Sequence, residues 1–291
     1  MRPTVQTFFD PATSTASYLV IDPDTRSAVI IDPVLDYEPK MGRLGTASAD
    51  AILRAATDQG LRLDYVLETH AHADHLSAAD YIRVKTGAKI AIGAQIVDVQ
   101  KTFIPMFDAD DVTPDGAAFD LLLGDGDQLA LGRLKIRAMH TPGHTPACLT
   151  YLIGDAAFVG DTLFMPDYGT ARADFPGGDA QSLYRSIQKI LALPDSTRVF
   201  VGHDYLPAGR KEFRWESTIA EQRARNVHIH AGVSEEAFVA MRHARDATLQ
   251  PPVLILPSLQ VNIRGGALPA PAPSGKVFLR IPITRDSPVT A

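Results

Sequence analysis

Thr69-His70-Ala71-His72-Ala73-Asp74-His75 puts four metal-capable side chains within six positions, between a stretch that reads as a strand (Leu63–Leu67) and one that reads as a helix (Leu76–Lys85). The small residues Ala71 and Ala73 leave room for the loop to fold so that His70, His72, Asp74 and His75 converge. Imidazole and carboxylate suit zinc, iron or manganese, so the cluster marks a transition-metal site without naming the metal. A single histidine at a strand end is more simply read as a cap for the following helix. Four ligand side chains in one loop are not accounted for in that way.

Three further pieces lie downstream: Thr141-Pro142-Gly143-His144-Thr145, Gly160-Asp161-Thr162-Leu163-Phe164 and Gly202-His203-Asp204-Tyr205. Each sets a ligand type beside glycine, and a residue leaving a strand through a glycine turn projects into the crevice at a sheet edge. Singly each reads as an ordinary turn; in this order they are specific. Around them, clustered β-branched and aromatic residues predict strands at Val5–Phe9, Ser17–Ile21, Ala28–Ile31, Lys89–Ile92, Lys135–Met139, Leu149–Ile153, Ala157–Val159 and Val199–Val201. Helical spacing predicts helices at Ala47–Gln59, with Gly60 as its stop, and at Ala180–Leu191 and Arg214–Arg225. The alternation points to a layered α/β fold. The Pro-rich Leu268–Pro273 reads as an extended surface loop, and no internal repeat is present.

With 291 residues, 45% of them hydrophobic and 21% charged, the chain has the composition of an ordinary globular protein. A formal net charge of −6 argues against a general nucleic-acid binder, which would carry a basic stripe for phosphates. The single cysteine, Cys148, forms no internal disulfide and reads as a small packing residue. Met1-Arg2-Pro3-Thr4 lacks the basic start and apolar run of a secretory signal, and no apolar stretch approaches the roughly 20 residues of a membrane span, so the expected location is cytoplasmic.

The order of these motifs resembles the metallo-β-lactamase superfamily, whose H-x-H-x-D-H motif is followed by separate His, Asp and His ligands. The match covers His70, His72, Asp74, His75, His144, Asp161 and His203. It implies an αββα sandwich of two mixed β-sheets flanked by helices, here a single domain over 1–291 with a C-terminal extension at about 213–291, and a site between the sheets at one edge. Within the superfamily the wider sequence resembles the persulfide dioxygenases. The carrying features are Thr141–Thr145 with Cys148, Arg172-Ala173-Asp174-Phe175, Gly202-His203-Asp204-Tyr205, Glu235-Glu236-Ala237-Phe238-Val239 and Asn262-Ile263-Arg264-Gly265.

That resemblance implies one Fe(II) per chain held by His70, His144 and Asp161, with zinc or manganese as substitutes. His72, Asp74, His75 and His203 would then orient ligands or hold water. The implied reaction turns glutathione persulfide, or another low-molecular-weight persulfide, with O2 and water into sulfite and the thiol, in a possible homodimer. Arg172 matches an arginine associated with the glutathione site, and Tyr205 offers a hydroxyl or a stacking face. The bland reading of Arg172 is an ion pair with Asp174. Phe164–Ala171 replaces a shorter glycine- and cysteine-containing loop, a departure that bears on substrate choice. The alternative is a dinuclear thioester hydrolase resembling glyoxalase II. There His70, His72 and His144 hold one ion, Asp74, His75 and His203 the other, and Asp161 bridges.

Overall fold

Strands that are apolar on both faces need cover on both faces, and that requirement organises the layers of this molecule. The computed structural model describes residues 2–283; residues 284–291, the end of the expected extension, lie outside it. The first half runs β1 (Thr4–Asp10), β2 (Thr15–Ile21), β3 (Ser27–Ile31), β4 (Val34–Glu38), β5 (Arg43–Gly45), α1 (Ala47–Asp58), β6 (Arg62–Leu67), β7 (Leu76–Ser77), α2 (Ala79–Thr86), β8 (Lys89–Gly93), α3 (Ile96–Phe107) and β9 (Leu121–Leu123). The second half runs β10 (Gln128–Leu131), β11 (Leu134–His140), β12 (Leu149–Ile153), β13 (Ala156–Phe158), α4 (Ala180–Leu191), β14 (Arg198–Phe200), β15 (Glu216–Thr218), α5 (Ile219–Arg225), α6 (Glu235–Asp246) and α7 (Ile255–Asn262).

One six-stranded sheet has the order β1-β2-β3-β6-β8-β9 and the other β10-β11-β12-β13-β14-β15. Both are mixed: β3, β6, β8 and β9 pair in parallel, as do β13 and β14, while the remaining neighbours are antiparallel. Alternation along β2 shows how the layers share a strand. Ala16, Tyr18 and Val20 face the inter-sheet core with Tyr151, Phe158 and Phe200, while Leu19 and Ile21 face an outer core with Ile52 of α1, Ile82 of α2 and Phe103 of α3. On the other outer face Val199 and Ala157 meet Leu183, Ile187 and Ile190 of α4 and Phe238 of α6. The αββα sandwich is therefore the observed architecture. Among the described residues no helix is long and apolar enough to cross a membrane.

Two expected helices begin later than the sequence suggests. Leu76 and Ser77 are not helical, because they pair with Leu35 and Val34 of β4, and α2 starts only at Ala79. The Arg214–Arg225 segment is split: Glu216–Thr218 pairs antiparallel with β14, and Thr218 then caps α5 by accepting from the Glu221 N–H at 3.2 Å. The strands expected at Ala157–Val159 and Val199–Val201 each start one residue earlier. Leu268–Pro273 has no regular secondary structure.

Candidate metal centre

The site forms where strands of both sheets end at a common edge. From β3 comes Asp32, from β6 the 68–75 loop, from β11 His144, from β13 Asp161 and from β14 His203. Asp32 shapes the first loop. Its carboxylate accepts the Thr69 N–H at 2.7 Å and the Thr69 hydroxyl at 2.8 Å, all in the buried interior. Gly160 crosses directly over this corner with φ +51°, and a Cβ there would lie 2.5 Å from Thr69 Oγ1, so both backbone and space require glycine.

Hydrogen bonds at the rear of each ring decide which nitrogen faces inward. The Thr69 hydroxyl already donates to Asp32, so His70 Nδ1–H donates to Thr69 Oγ1 at 3.0 Å and Nε2 keeps its lone pair. His144 Nδ1–H donates to the Arg172 main-chain carbonyl at 2.9 Å, and His203 Nδ1–H to the Ser14 carbonyl at 3.2 Å. His72 is turned the other way: Nε2 lies 3.1 Å from Asp32 and 3.3 Å from Glu68, which leaves Nδ1 for the site. Burial, reinforced by the neighbouring His72 and His144, pushes the His70 pKa far below its ordinary value, so this ring is neutral and ready to ligate. Burial opposes protonation of His72 too, but Asp32 and then Glu68 override it and raise its pKa well above normal.

The donor atoms collect into two adjoining groups, each with its ligand atoms within 4.8 Å of one another: His70, His144 and Asp161; and His72, Asp74, His75 and His203; a third group joins His72 to Asp32 and Glu68 behind it. Asp161 faces both groups, with Oδ2 at 3.7 Å from His144 Nε2 and Oδ1 at 3.4 Å from His203 Nε2. Asp74 Oδ2 is 3.3 Å from His203 Nε2. His70 Nε2, His72 Nδ1, His75 Nε2, His203 Nε2 and Asp161 Oδ1 are buried without a hydrogen-bond partner. Buried polar atoms are almost always paired, so five convergent orphans of ligand type fit a bound metal ion and little else. All seven ligand-type residues singled out in the sequence are thus brought together.

The substrate candidates fare differently. Arg172 closes its fork on Asp174, at 2.5 and 2.7 Å, and donates its remaining arm to the Gln250 carbonyl at 2.8 Å. Its link to the site runs through its main-chain oxygen on His144. Tyr205, half-exposed, lies parallel to His203 with ring centres 5.6 Å apart, and meets Phe164 edge-on at 5.6 Å and Tyr168 at 5.0 Å. Burial pushes the Cys148 thiol up to about 12 while Thr145 hydrogen-bonds it, which is a packing role.

Two contributors, Asp32 and Glu68, are not singled out by the sequence, and Asn262, noted there only within the Asn262–Gly265 stretch, has a role that the sequence does not show. Glu68 accepts the Ser77 hydroxyl at 2.5 Å and faces His72. Asn262, at the end of α7, donates to the carbonyls of His72 and His75 and accepts from the Ser77 N–H, all at 2.8 Å. An acidic residue directly after β3, before Pro33, was the available signal for Asp32.

A family model described as "Metallo-beta-lactamase superfamily" matches residues 10–203. The chain is 56% identical to the "Probable metallo-hydrolase" of Burkholderia pseudomallei over 96% of this chain and 99% of that one. It is 44% identical to "Glyoxylase B2" of Dictyostelium discoideum over 96% of each. With the mitochondrial "Persulfide dioxygenase ETHE1" of Mus musculus it shares 32% over 91% of this chain and 89% of that one. The chain spans 65% of the longer "Beta-lactamase hydrolase-like protein" of Agrobacterium fabrum, at 54% identity and 97% of its own length. Among solved structures, ETHE1 from Myxococcus xanthus superposes with a TM-score of 0.73 at 32% identity, covering 91% of this chain and all of that one.

Proposed function

The chain belongs to the metallo-beta-lactamase superfamily, and we propose that within it the protein is a mononuclear Fe(II) persulfide dioxygenase acting on glutathione persulfide or a related small persulfide. The observation that carries this reading is the separation of the donors. His70, His144 and Asp161 form a buried two-histidine, one-carboxylate group, while His72 is drawn toward Asp32 and Glu68. That ligand set with open positions is the one used by non-haem iron oxygenases. These three residues would hold Fe(II), which would supply redox chemistry for joining O2 to a sulfur donor. His70 and His144 are held with lone pairs inward by Thr69 and the Arg172 carbonyl, and Asp161 balances charge. Asp74 and His203, 3.3 Å apart, offer polar atoms that would hydrogen-bond and orient a water beside the triad. Phe164, Tyr168 and Tyr205 form an apolar wall beside them for the sulfur end of the substrate.

The second reading, a dinuclear thioester hydrolase, is favoured by one observation: Asp161 faces both donor groups, as a bridging carboxylate does. Anaerobic purification, metal analysis and an oxygen electrode separate the two. The dioxygenase gives about one iron per chain and oxygen uptake with glutathione persulfide. About two ions per chain, with S-D-lactoylglutathione hydrolysis and no oxygen uptake, would establish the hydrolase instead. Asp161→Ala removes both iron and oxygen uptake, and an Asp161→Ala protein that still consumed oxygen would refute the triad.

A further inference from the structure

We propose that Asp246, held in place by Arg242, is a positioning residue for His144, acting through the peptide unit between Arg172 and Ala173. The proposal rests on the reading of His144 as a metal ligand. Both residues lie on α6, outside the 10–203 stretch matched by the family model.

The geometry follows from the planar trans peptide. The Arg172 carbonyl and the Ala173 N–H belong to one rigid plane and point in opposite directions. Ala173 N–H donates to Asp246 Oδ2 at 2.9 Å, and the Arg172 carbonyl, on the other side of that plane, accepts His144 Nδ1–H at 2.9 Å. Fixing the N–H therefore aims the oxygen. A carboxylate, a peptide and an imidazole stand in one hydrogen-bonded line, an arrangement in which each bond polarises the next and raises the basicity of the ligating nitrogen.

Arg242 completes the clamp. It donates to Asp246 Oδ1 at 2.6 Å, and its other arm reaches the Thr170 carbonyl at 3.1 Å and the Thr170 hydroxyl at 3.2 Å. Its side chain is 1% exposed and that of Asp246 5%. The pair thus grips the main chain on both sides of Arg172. A buried ion pair is seldom worth its desolvation as a source of stability, since well-packed apolar residues often do as well. Arg242 Nε has no partner, but the other arm of Arg242 and the second oxygen of Asp246 are spent on residues 170 and 173, which points to a positioning role.

The test uses the full chain loaded with Co(II), which reports coordination without turnover. In the Arg242→Met/Asp246→Leu variant, which removes both charges while keeping apolar bulk, Co(II) affinity falls about 10- to 100-fold and the His144 ring N–H, read as a paramagnetically shifted resonance, exchanges faster with water. The Arg242→Gln/Asp246→Asn variant retains an oxygen for Ala173 and recovers affinity to within a few-fold of wild type. A folded Met/Leu variant with wild-type affinity and an unchanged His144 resonance overturns the proposal, as does equal loss in both variants. Should the Met/Leu variant not fold, wild-type protein decides: a His144 N–H that exchanges much faster than that of His70 rules the clamp out. His144→Ala is the control for the underlying reading. If it keeps full Co(II) affinity, the metal triad itself fails, independently of the α6 variants.

Discussion

Asn262→Asp changes one side-chain nitrogen to oxygen at a point that holds the metal-motif loop. The wild-type amide donates to two carbonyls, of His72 and His75, and accepts from the Ser77 N–H, all three bonds at 2.8 Å and all in the buried interior. Aspartate keeps the size and the acceptor for Ser77, but it turns the two donated bonds into contacts between a carboxylate oxygen and carbonyl oxygens. Leaving a buried acceptor without its donor costs about 1–3 kcal/mol, so two such losses come to roughly 2–6 kcal/mol. Against a total stability of about 5–15 kcal/mol this is a large fraction. Urea unfolding of metal-free wild type and variant at pH 7, with the slope held common, measures the difference directly. A loss under about 1 kcal/mol would refute the reasoning, because it would mean that the His72 and His75 carbonyls find water or other donors and that α7 does not hold the loop. The same substitution should broaden the NMR signals of His72 and His75 more than that of His144, whose ring is held from a different side.

Three further outcomes are expected. Burial, then Arg242 and Arg245, depress His228 to about 4, below its unfolded value near 6.5, so its contribution is complete above pH about 6.5 and is lost as pH falls toward 4. The full shift corresponds to about 3 kcal/mol and, for a half-buried ring, to roughly half of that after solvent screening. His228→Gln, which still offers an acceptor to the Thr170 N–H, should flatten the stability-versus-pH curve in that window, and an unchanged slope would count against the assignment. Cys148, with its thiol pushed up to about 12, should resist iodoacetamide at pH 8 in the native protein and react fully in urea; rapid native labelling would show that the thiol is reachable. Fe(II) or Zn(II) at about 100 times its dissociation constant should stabilise the metal-free protein by about 2.7 kcal/mol and raise Tm, and a Tm indifferent to metal would contradict the reading of the five orphaned buried atoms.

How far the sequence discloses this site depends on whether a residue acts through its side chain or on the backbone of another. His70, His72, Asp74 and His75 were legible because their chemistry is local and the residue types are rare in combination. The strands were legible because both faces of β2 and β3 are buried, so their apolar runs are nearly continuous. The 76–85 segment misled because Leu76 and Ser77 suit helix and strand equally, and the deciding partner, β4, lies some forty residues earlier. α7 was hidden by Pro257, which reads as a breaker although the first turn of a helix tolerates proline. The roles of Asn262 and Asp246 were hidden for a different reason. Their partners are the carbonyls of His72 and His75 and the N–H of Ala173, groups that every residue carries and no residue type advertises. Arg172 illustrates the same point: its guanidinium is engaged by Asp174 and the Gln250 carbonyl, and it is the anonymous carbonyl of Arg172 that meets His144. A position whose influence passes through peptide groups leaves its mark in the fold, and only side-chain chemistry leaves one in the sequence.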